Sequence, residues 1–274
     1  MEKFFNVFGN PVAHSLSPRI YSLFSLEAGT DYSYGRVLVP IGDLTNKLKC
    51  FFSSGGLGAN VTLPFKEEAF FVCDAWTDRA LLSKTVNVIK KNSDGTLLGD
   101  NTDGIGLFYD LQRLAMIRKD SVILLLGAGG ASRGVIPSLL DYGCKIFLVN
   151  RTFLRAKNLA SFYCNLGDIC VVPFEDLYKI SNIDLVINAT SISVSNDVLC
   201  LSKSIVYSEV FFYDMFYSSH GRDTSFISWC REQGAVHCEN GLGMLVSQAA
   251  YSFFLWHNVF PSVLPVLDKL KCGV

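Results

Sequence analysis

Residues 122–132 read Val-Ile-Leu-Leu-Leu-Gly-Ala-Gly-Gly-Ala-Ser. The five consecutive apolar residues Val122 to Leu126 show neither the alternation of a half-exposed strand nor the length of a helix. Such a run suits a central strand buried on both faces of a parallel sheet. It leads directly into the turn Gly127-Ala128-Gly129-Gly130-Ala131-Ser132, and the spacing beyond predicts a helix to about Tyr142. Gly127 permits the tight turn, and Gly129 lets the backbone approach a pyrophosphate. The helix N-terminus offers unpaired N–H groups and a positive dipole end to an anion. The third small position is Ser132 rather than glycine, which helix–strand packing tolerates. A glycine-rich turn alone is weak evidence; the strand before it and the helix after it give it weight. Working outward, Gly104 to Ala115 reads as a helix, and Ile146–Val149, Leu185–Asn188 and Phe211–Met215 read as strands. This alternation predicts a Rossmann-type nucleotide domain.

The strand after the glycine turn ends in Asn150-Arg151-Thr152. A site for NAD places an acid there, about 20 residues past the glycines, to bond the ribose 2′-hydroxyl. No acid occurs between Lys145 and Leu166; Arg151 takes that place, with Arg155 one helical turn on. Two guanidinium groups on one face suit a 2′-phosphate. The expected cofactor is therefore NADP. The plainer reading is a pair of solvated arginines.

The first half also alternates strand with helix. Phe4–Phe8 is a strand ending at the turn residues Gly9-Asn10-Pro11. Ser17 is expected to cap a helix with Pro18 at its first position. Tyr34–Val39 and Gly58–Val61 follow as strands, Pro64 and Lys66 open another helix, and the last helix starts after Gly241-Leu242-Gly243. The expected fold is α/β with two domains, the first on a largely parallel sheet. A chain of 274 residues, 50% hydrophobic and 18% charged, can bury two modest cores. Its formal net charge of -1 provides no basic field for a nucleic-acid backbone or an anionic membrane. The segment Met1–Asn10 lacks the apolar core of a secretion signal. The apolar run Met244–Trp256, broken by Ser247, Gln248 and Ser252, reads as a buried helix rather than a membrane span. Nine scattered cysteines without a Cys-x-x-Cys pair, and four histidines without ligand spacing, point to no metal and to reduced thiols in a cytoplasmic protein. The partner expected is a small molecule, met by a monomer or homodimer.

Four polar clusters lie at turns: Ser15-Leu16-Ser17, Asn60 to Lys66, Val86-Asn87 and Asp100-Asn101-Thr102-Asp103. Gln248 stands on the otherwise apolar last helix. Taken singly, each has a bland explanation as a cap, a solvated lysine or a turn former. Together they describe a site for a small polyhydroxylated acid. Hydroxyls hold a carboxylate, amides hold ring hydroxyls, and a lysine with an aspartate transfers a proton beside a hydride carrier.

At these residues the chain resembles the bacterial shikimate dehydrogenases over nearly its whole length. The matching segments are Phe8–Pro11 through Ser17-Pro18, Gly58–Lys66, Leu98–Gly104, Gly127–Gly134, Asn150–Thr152, Tyr213–Tyr217 and Gly241–Gln248. The resemblance implies NADP-dependent interconversion of 3-dehydroshikimate and shikimate. It implies that Ser15 and Ser17 bind the substrate carboxylate, and that Asn60, Thr62, Asn87, Asp103 and Gln248 hold hydroxyls, with Tyr217 at the rim. Lys66 becomes the general acid/base, assisted by Asp103. Gly127, Ala128, Gly129, Gly130, Ala131 and Ser132 take the pyrophosphate. Asn150, Arg151, Thr152 and Arg155 take the adenosine phosphate, and Ala189, Thr190, Met215 and Gly241 line the nicotinamide side. The family fold further implies a substrate domain of 1–102 plus 238–274, an NADP domain of 103–237, and a cleft between them. Two segments depart from the family pattern: Lys84-Thr85 stands where small residues are usual, and Ser191–Asn196 lacks the usual glycine. Three alternatives remain. One is a broader quinate/shikimate dehydrogenase, and another is a non-catalytic shikimate-binding homologue. The third is a methylene-tetrahydrofolate dehydrogenase, which has no need of the Ser15/Ser17 pair.

Overall fold

The computed structural model describes residues 3–190, 203–218 and 222–272. It divides into two compact units, Met1–Gly106 with Leu245–Val274, and Leu107–Met244.

The first unit opens with β1 (Phe4–Gly9), α1 (Ser17–Ala28), β2 (Ser33–Leu38), α2 (Leu44–Ser53) and β3 (Gly58–Val61). There follow α3 (Lys66–Phe70), β4 (Ala75–Trp76), α4 (Asp78–Ser83), β5 (Val88–Lys91) and β6 (Leu97–Asp100). The strand order is β2-β1-β3-β5-β6-β4. The pairs β1–β2, β1–β3 and β4–β6 are parallel, whereas β5 runs antiparallel to both β3 and β6. Parallel pairs therefore predominate, and the short β5–β6 hairpin adds the antiparallel ones. Its connection, Asn92 to Thr96, is too short for the crossover a parallel pair would need. One sheet face packs on Leu44, Leu48, Phe51 and Phe52 of α2. The other carries Tyr21 and Phe24 of α1 with Phe253 and Trp256.

Ser17 does not cap α1: it is the first helical residue, Leu16 holds the cap position, and no side chain satisfies it. The Ser17 hydroxyl is engaged elsewhere, with Ser15. Helix α5 runs Asp103–Arg113, short of the predicted Ala115, because Ala115 has a left-handed backbone (φ 53°) that a helix cannot continue.

The second unit contains β7 (Val122–Leu126), α6 (Gly130–Asp141), β8 (Lys145–Val149), α7 (Phe153–Tyr163), β9 (Ile169–Val171) and a 3-10 turn at Phe174–Lys179. It continues with β10 (Leu185–Asn188), β11 (Phe211–Asp214), α8 (Ser225–Glu232) and β12 (His237–Asn240). All its strand pairs are parallel, in the order β12-β11-β10-β7-β8-β9. Counted within the unit this is the 3-2-1-4-5-6 order of a doubly wound dinucleotide fold. Ile123, Leu124, Leu125 and Leu126 of β7 have no solvent exposure, and alternate residues join the cores on opposite faces of the sheet. That accounts for a strand without alternation.

Two further helices close the chain: α9 (Leu242–His257) and α10 (Val263–Lys271). The unit boundaries fall within α5 and α9. Val246, Ala249, Ala250 and Phe253 of α9 are fully buried, as a core helix requires. Among the described residues no helix is long and apolar enough to cross a membrane.

Candidate active site

In the first unit, everything turns on how residues 100–103 are held. Asp100 has no exposure, and a carboxylate buried this deeply is costly unless it is paired. Arg79 bonds both its oxygens, and Thr77 and the Asn101 N–H also donate to it. Asn101 accepts from the Asp103 N–H (3.0 Å) and donates to the Thr85 hydroxyl (2.7 Å). Asp103 is thus fixed as the first residue of α5. Its Oδ2 accepts from Lys66 Nζ at 2.6 Å and its Oδ1 from Asn87 Nδ2 at 2.9 Å. The lysine side chain is 16% exposed and the aspartate 5%. This pair is therefore largely out of water yet open on one side, which strengthens its hydrogen bond and leaves the ammonium reachable.

Around the pair lies a network of amides and hydroxyls. Asn87 Nδ2 also reaches Thr102 and Gln248, and its Oδ1 accepts from the Thr102 N–H (2.9 Å). Gln248 is held in turn by donating to the Leu245 carbonyl (2.8 Å). Asn60 Nδ2 donates to the Asn87 carbonyl and to Ser252, and Asn60 Oδ1 accepts from the Tyr34 hydroxyl at 2.7 Å. Burial pushes the Tyr34 phenol well above its ordinary pKa, so it stays protonated and donates. Ser17 Oγ accepts from the Ser15 hydroxyl (3.0 Å). A hydrogen-bonded chain therefore runs from Tyr34 through Asn60 and Asn87 to Asp103 and Lys66. Thr62 sits half-buried in the turn between β3 and α3, its N–H on the Phe8 carbonyl.

Of the two departures from the family pattern, Lys84 ends α4 with a left-handed backbone, and its ammonium lies over the Phe70 ring at 5.2 Å. Thr85 is buried and braces Asn101. The segment Ser191–Asn196 lies outside the described residues.

In the second unit, Gly127 has φ 107°, a conformation that side chains rarely adopt. A Cβ there would also press on Ala189, while one on Gly129 would meet nothing within 4 Å. Space above Gly129 is what a pyrophosphate approaching the backbone requires. Helix α6 begins there with no side-chain cap and no acid in its first turn. Its first N–H groups and dipole are left for an anion. Asn150 Oδ1 accepts from the Ala128 N–H, and its Nδ2 donates to the Thr152 carbonyl, tying the glycine turn to the loop that carries Arg151. Arg151 and Arg155 are exposed. Neither has an acidic partner among the described residues. The residues present thus fit a dinucleotide with a phosphorylated ribose.

Ser132 behaves differently from its neighbours in the turn. It has no exposure, and its hydroxyl donates inward to the Gly127 carbonyl at 2.7 Å, so it locks the turn instead of facing an anion. At the ends of β10 and β11, Asn188 binds Asp214 and supports Thr190, while Asp214 also accepts from the Phe216 N–H and Thr224. Met215 and Gly241 meet there: a Cβ on Gly241 would fall 2.4 Å from the Met215 carbonyl. Tyr217 stacks on Phe216.

Of the expected substrate residues, Ser15, Ser17, Asn60, Thr62, Lys66, Asn87, Asp103 and Gln248 belong to the first unit, whereas Tyr217 and the expected cofactor residues belong to the second. Sequence reading missed Tyr34, Arg79, Thr85, Asp214 and Ser252. The Tyr34–Val39 strand pattern offered a signal only for the first of these, a polar-tipped aromatic on a strand.

Each unit contains a segment that matches a known family. Residues 7–89 match the family model described as the shikimate dehydrogenase substrate binding domain, and residues 112–202 match that of shikimate / quinate 5-dehydrogenase. Shikimate dehydrogenase from Aquifex aeolicus is 31% identical, with 98% of this chain and 97% of that one covered and a TM-score of 0.86. The Thermus thermophilus enzyme, solved with NADP(H) and shikimate, is 30% identical over 99% and 100% of the two chains, with a TM-score of 0.84. The Listeria monocytogenes enzyme, solved with shikimate and NAD, is 26% identical over 98% and 96%, with a TM-score of 0.84. With both halves matched in order and the full length shared, this chain belongs to the shikimate dehydrogenase family.

Proposed function

We propose that this oxidoreductase reduces 3-dehydroshikimate reversibly to shikimate, with Lys66 as the proton donor and Asp103 as its orienting partner. As a shikimate dehydrogenase it uses NADP and serves the shikimate pathway. The observation that carries the residue assignment is the buried Lys66–Asp103 contact at 2.6 Å, braced by Asn87. When bound, the dinucleotide supplies the hydride to the ketone carbon. As the carbonyl oxygen gains charge, Lys66 Nζ gives it a proton, and in the reverse direction the amine takes that proton back. Asp103 holds the ammonium in place and accepts from a neighbouring ring hydroxyl. Ser15 and Ser17 bind the carboxylate, and Asn87, Thr62 and Gln248 bind hydroxyls, with Tyr217 at the rim. Asn60 binds a hydroxyl as well and also braces Tyr34 against Asn87. Gly127 to Ala131 hold the pyrophosphate with Ser132 locking their turn, and Asn150 to Thr152 with Arg155 hold the adenosine phosphate. Ala189, Thr190, Met215 and Gly241 line the nicotinamide side. The substrate domain corresponds to the first unit and the NADP domain to the second. The protein works in the cytoplasm as a monomer or homodimer.

The experiment is a set of initial rates with purified protein, crossing shikimate or quinate with NADP or NAD, for the wild type and Arg151→Ala. Turnover confined to shikimate and NADP is expected. Arg151→Ala should weaken NADP far more than NAD. Substantial quinate or NAD turnover would instead indicate the broader-specificity enzyme, and ligand binding without turnover a sensor.

A further inference from the structure

We propose that Arg36 is a further substrate-binding residue, the cation that holds the substrate carboxylate at the Ser15–Ser17 turn; this rests on the functional reading above. On β2, residues two apart share a sheet face. Val37 packs against the α2-side core, so Tyr34 and Arg36 lie on the opposite face. Tyr34 uses that face to reach Asn60. Arg36 lies one step nearer the C-terminal end of the strand, and its Nε and Nη2 both donate to the Ser15 carbonyl, at 3.0 and 2.6 Å. A guanidinium carries five N–H donors in a fixed fork. Two are engaged by that carbonyl, which fixes the plane of the group and leaves the others for a ligand.

Charge makes the assignment sharper. Ser15 and Ser17 are neutral hydroxyls, already hydrogen-bonded to one another. Neutral donors alone compensate poorly for taking a carboxylate out of water. Lys66 is held by Asp103. Arg36, by contrast, forms no ion pair among the described residues. A cation anchored beside the hydroxyl pair, exposed and without a counterion, supplies the missing charge. It also attracts an anionic substrate from solution, an effect that salt screens.

The test uses Arg36→Met and Arg36→Lys with shikimate and with its neutral methyl ester, at low and high salt, in the presence of NADP. Arg36→Met is expected to raise KM for shikimate on the order of tenfold, as for one charge-assisted bond. It should leave kcat near the wild-type value and raise KM for the ester several-fold less than for the acid. Arg36→Lys should recover part of the loss, and the salt dependence of kcat/KM for shikimate should flatten in the methionine variant. Equal losses for acid and ester would make Arg36 a support for the Ser15 turn and overturn the proposal. No change with either would overturn it as well. Wild-type protein that neither binds nor turns over shikimate would overturn the functional reading and this inference with it.

Discussion

Truncating Lys66 removes the proton donor and leaves Asp103, 5% exposed, with Asn87 as its side-chain partner among the described residues. Lys66→Ala is expected to lower kcat on the order of 10²–10⁴ with little change in KM, the range for losing a general acid/base. Steady-state rates of the folded variant check this, and near-normal kcat would remove Lys66 from the role. At this scale the chemistry was readable wherever a residue's meaning is local. Arg151 carries a local signal, because the acid it replaces belongs at one known distance from the glycines. Ser252 could not: it meets Asn60 from 192 positions away, and no local pattern separates it from a plain helix serine. Thr85 was hidden for a related reason, since only the fold reveals that it braces Asn101. Ser132 shows the reverse case, a residue placed correctly in the turn whose hydroxyl points inward.

Among the elements, α5 and α9 approach unusually closely. A Cβ on Gly106 would lie 2.6 to 2.9 Å from Gln248 Cβ, N and Cα, so backbone would have to move. Gly106→Ala should therefore destabilise the protein by about 1–3 kcal/mol, the usual cost of overpacking, measured by urea denaturation. It should also displace Gln248 and raise KM for shikimate. Unchanged stability would mean the helices yield freely there. The strands of the nucleotide unit were legible because β7, β8, β10 and β11 are apolar runs. By contrast β12, His237-Cys238-Glu239-Asn240, is a polar edge strand. β4 is two residues long. The fold makes them strands through pairing, not through propensity. Helix α2 did carry a signal, with its buried Leu44, Leu48, Phe51 and Phe52 at helical spacing.

Across the molecule, stability should depend on pH through His257 at the end of α9. Burial, with the ammonium groups of Lys3 and Lys90 facing it, lowers its pKa from 6.5 to about 4. Tyr32, Phe5 and Phe253 surround the ring. Between those two values the unfolded chain binds the proton that the folded chain refuses. The contribution is thus complete above about 6.5 and is lost as pH falls toward 4. Because the ring is only partly buried, the loss should be on the order of 1 kcal/mol. Urea denaturation of wild type and His257→Phe at neutral and mildly acidic pH checks this; an identical acid sensitivity in both would exclude it. The division into units was not legible from periodicity and entered only with the family resemblance. Nothing in a local pattern tells a helix which unit it will join. The discontinuity of the first unit also bears on the growing polypeptide. A ribosome delivers Leu107–Met244 before it delivers Leu245 onward. Until those last residues emerge, Asn60, Asn87 and Thr102 lack Ser252 and Gln248, and Phe24 lacks Phe253. The nucleotide unit, unbroken in sequence, has no such wait, so the nascent chain can complete its coenzyme cradle while its substrate site still lacks Gln248 and Ser252.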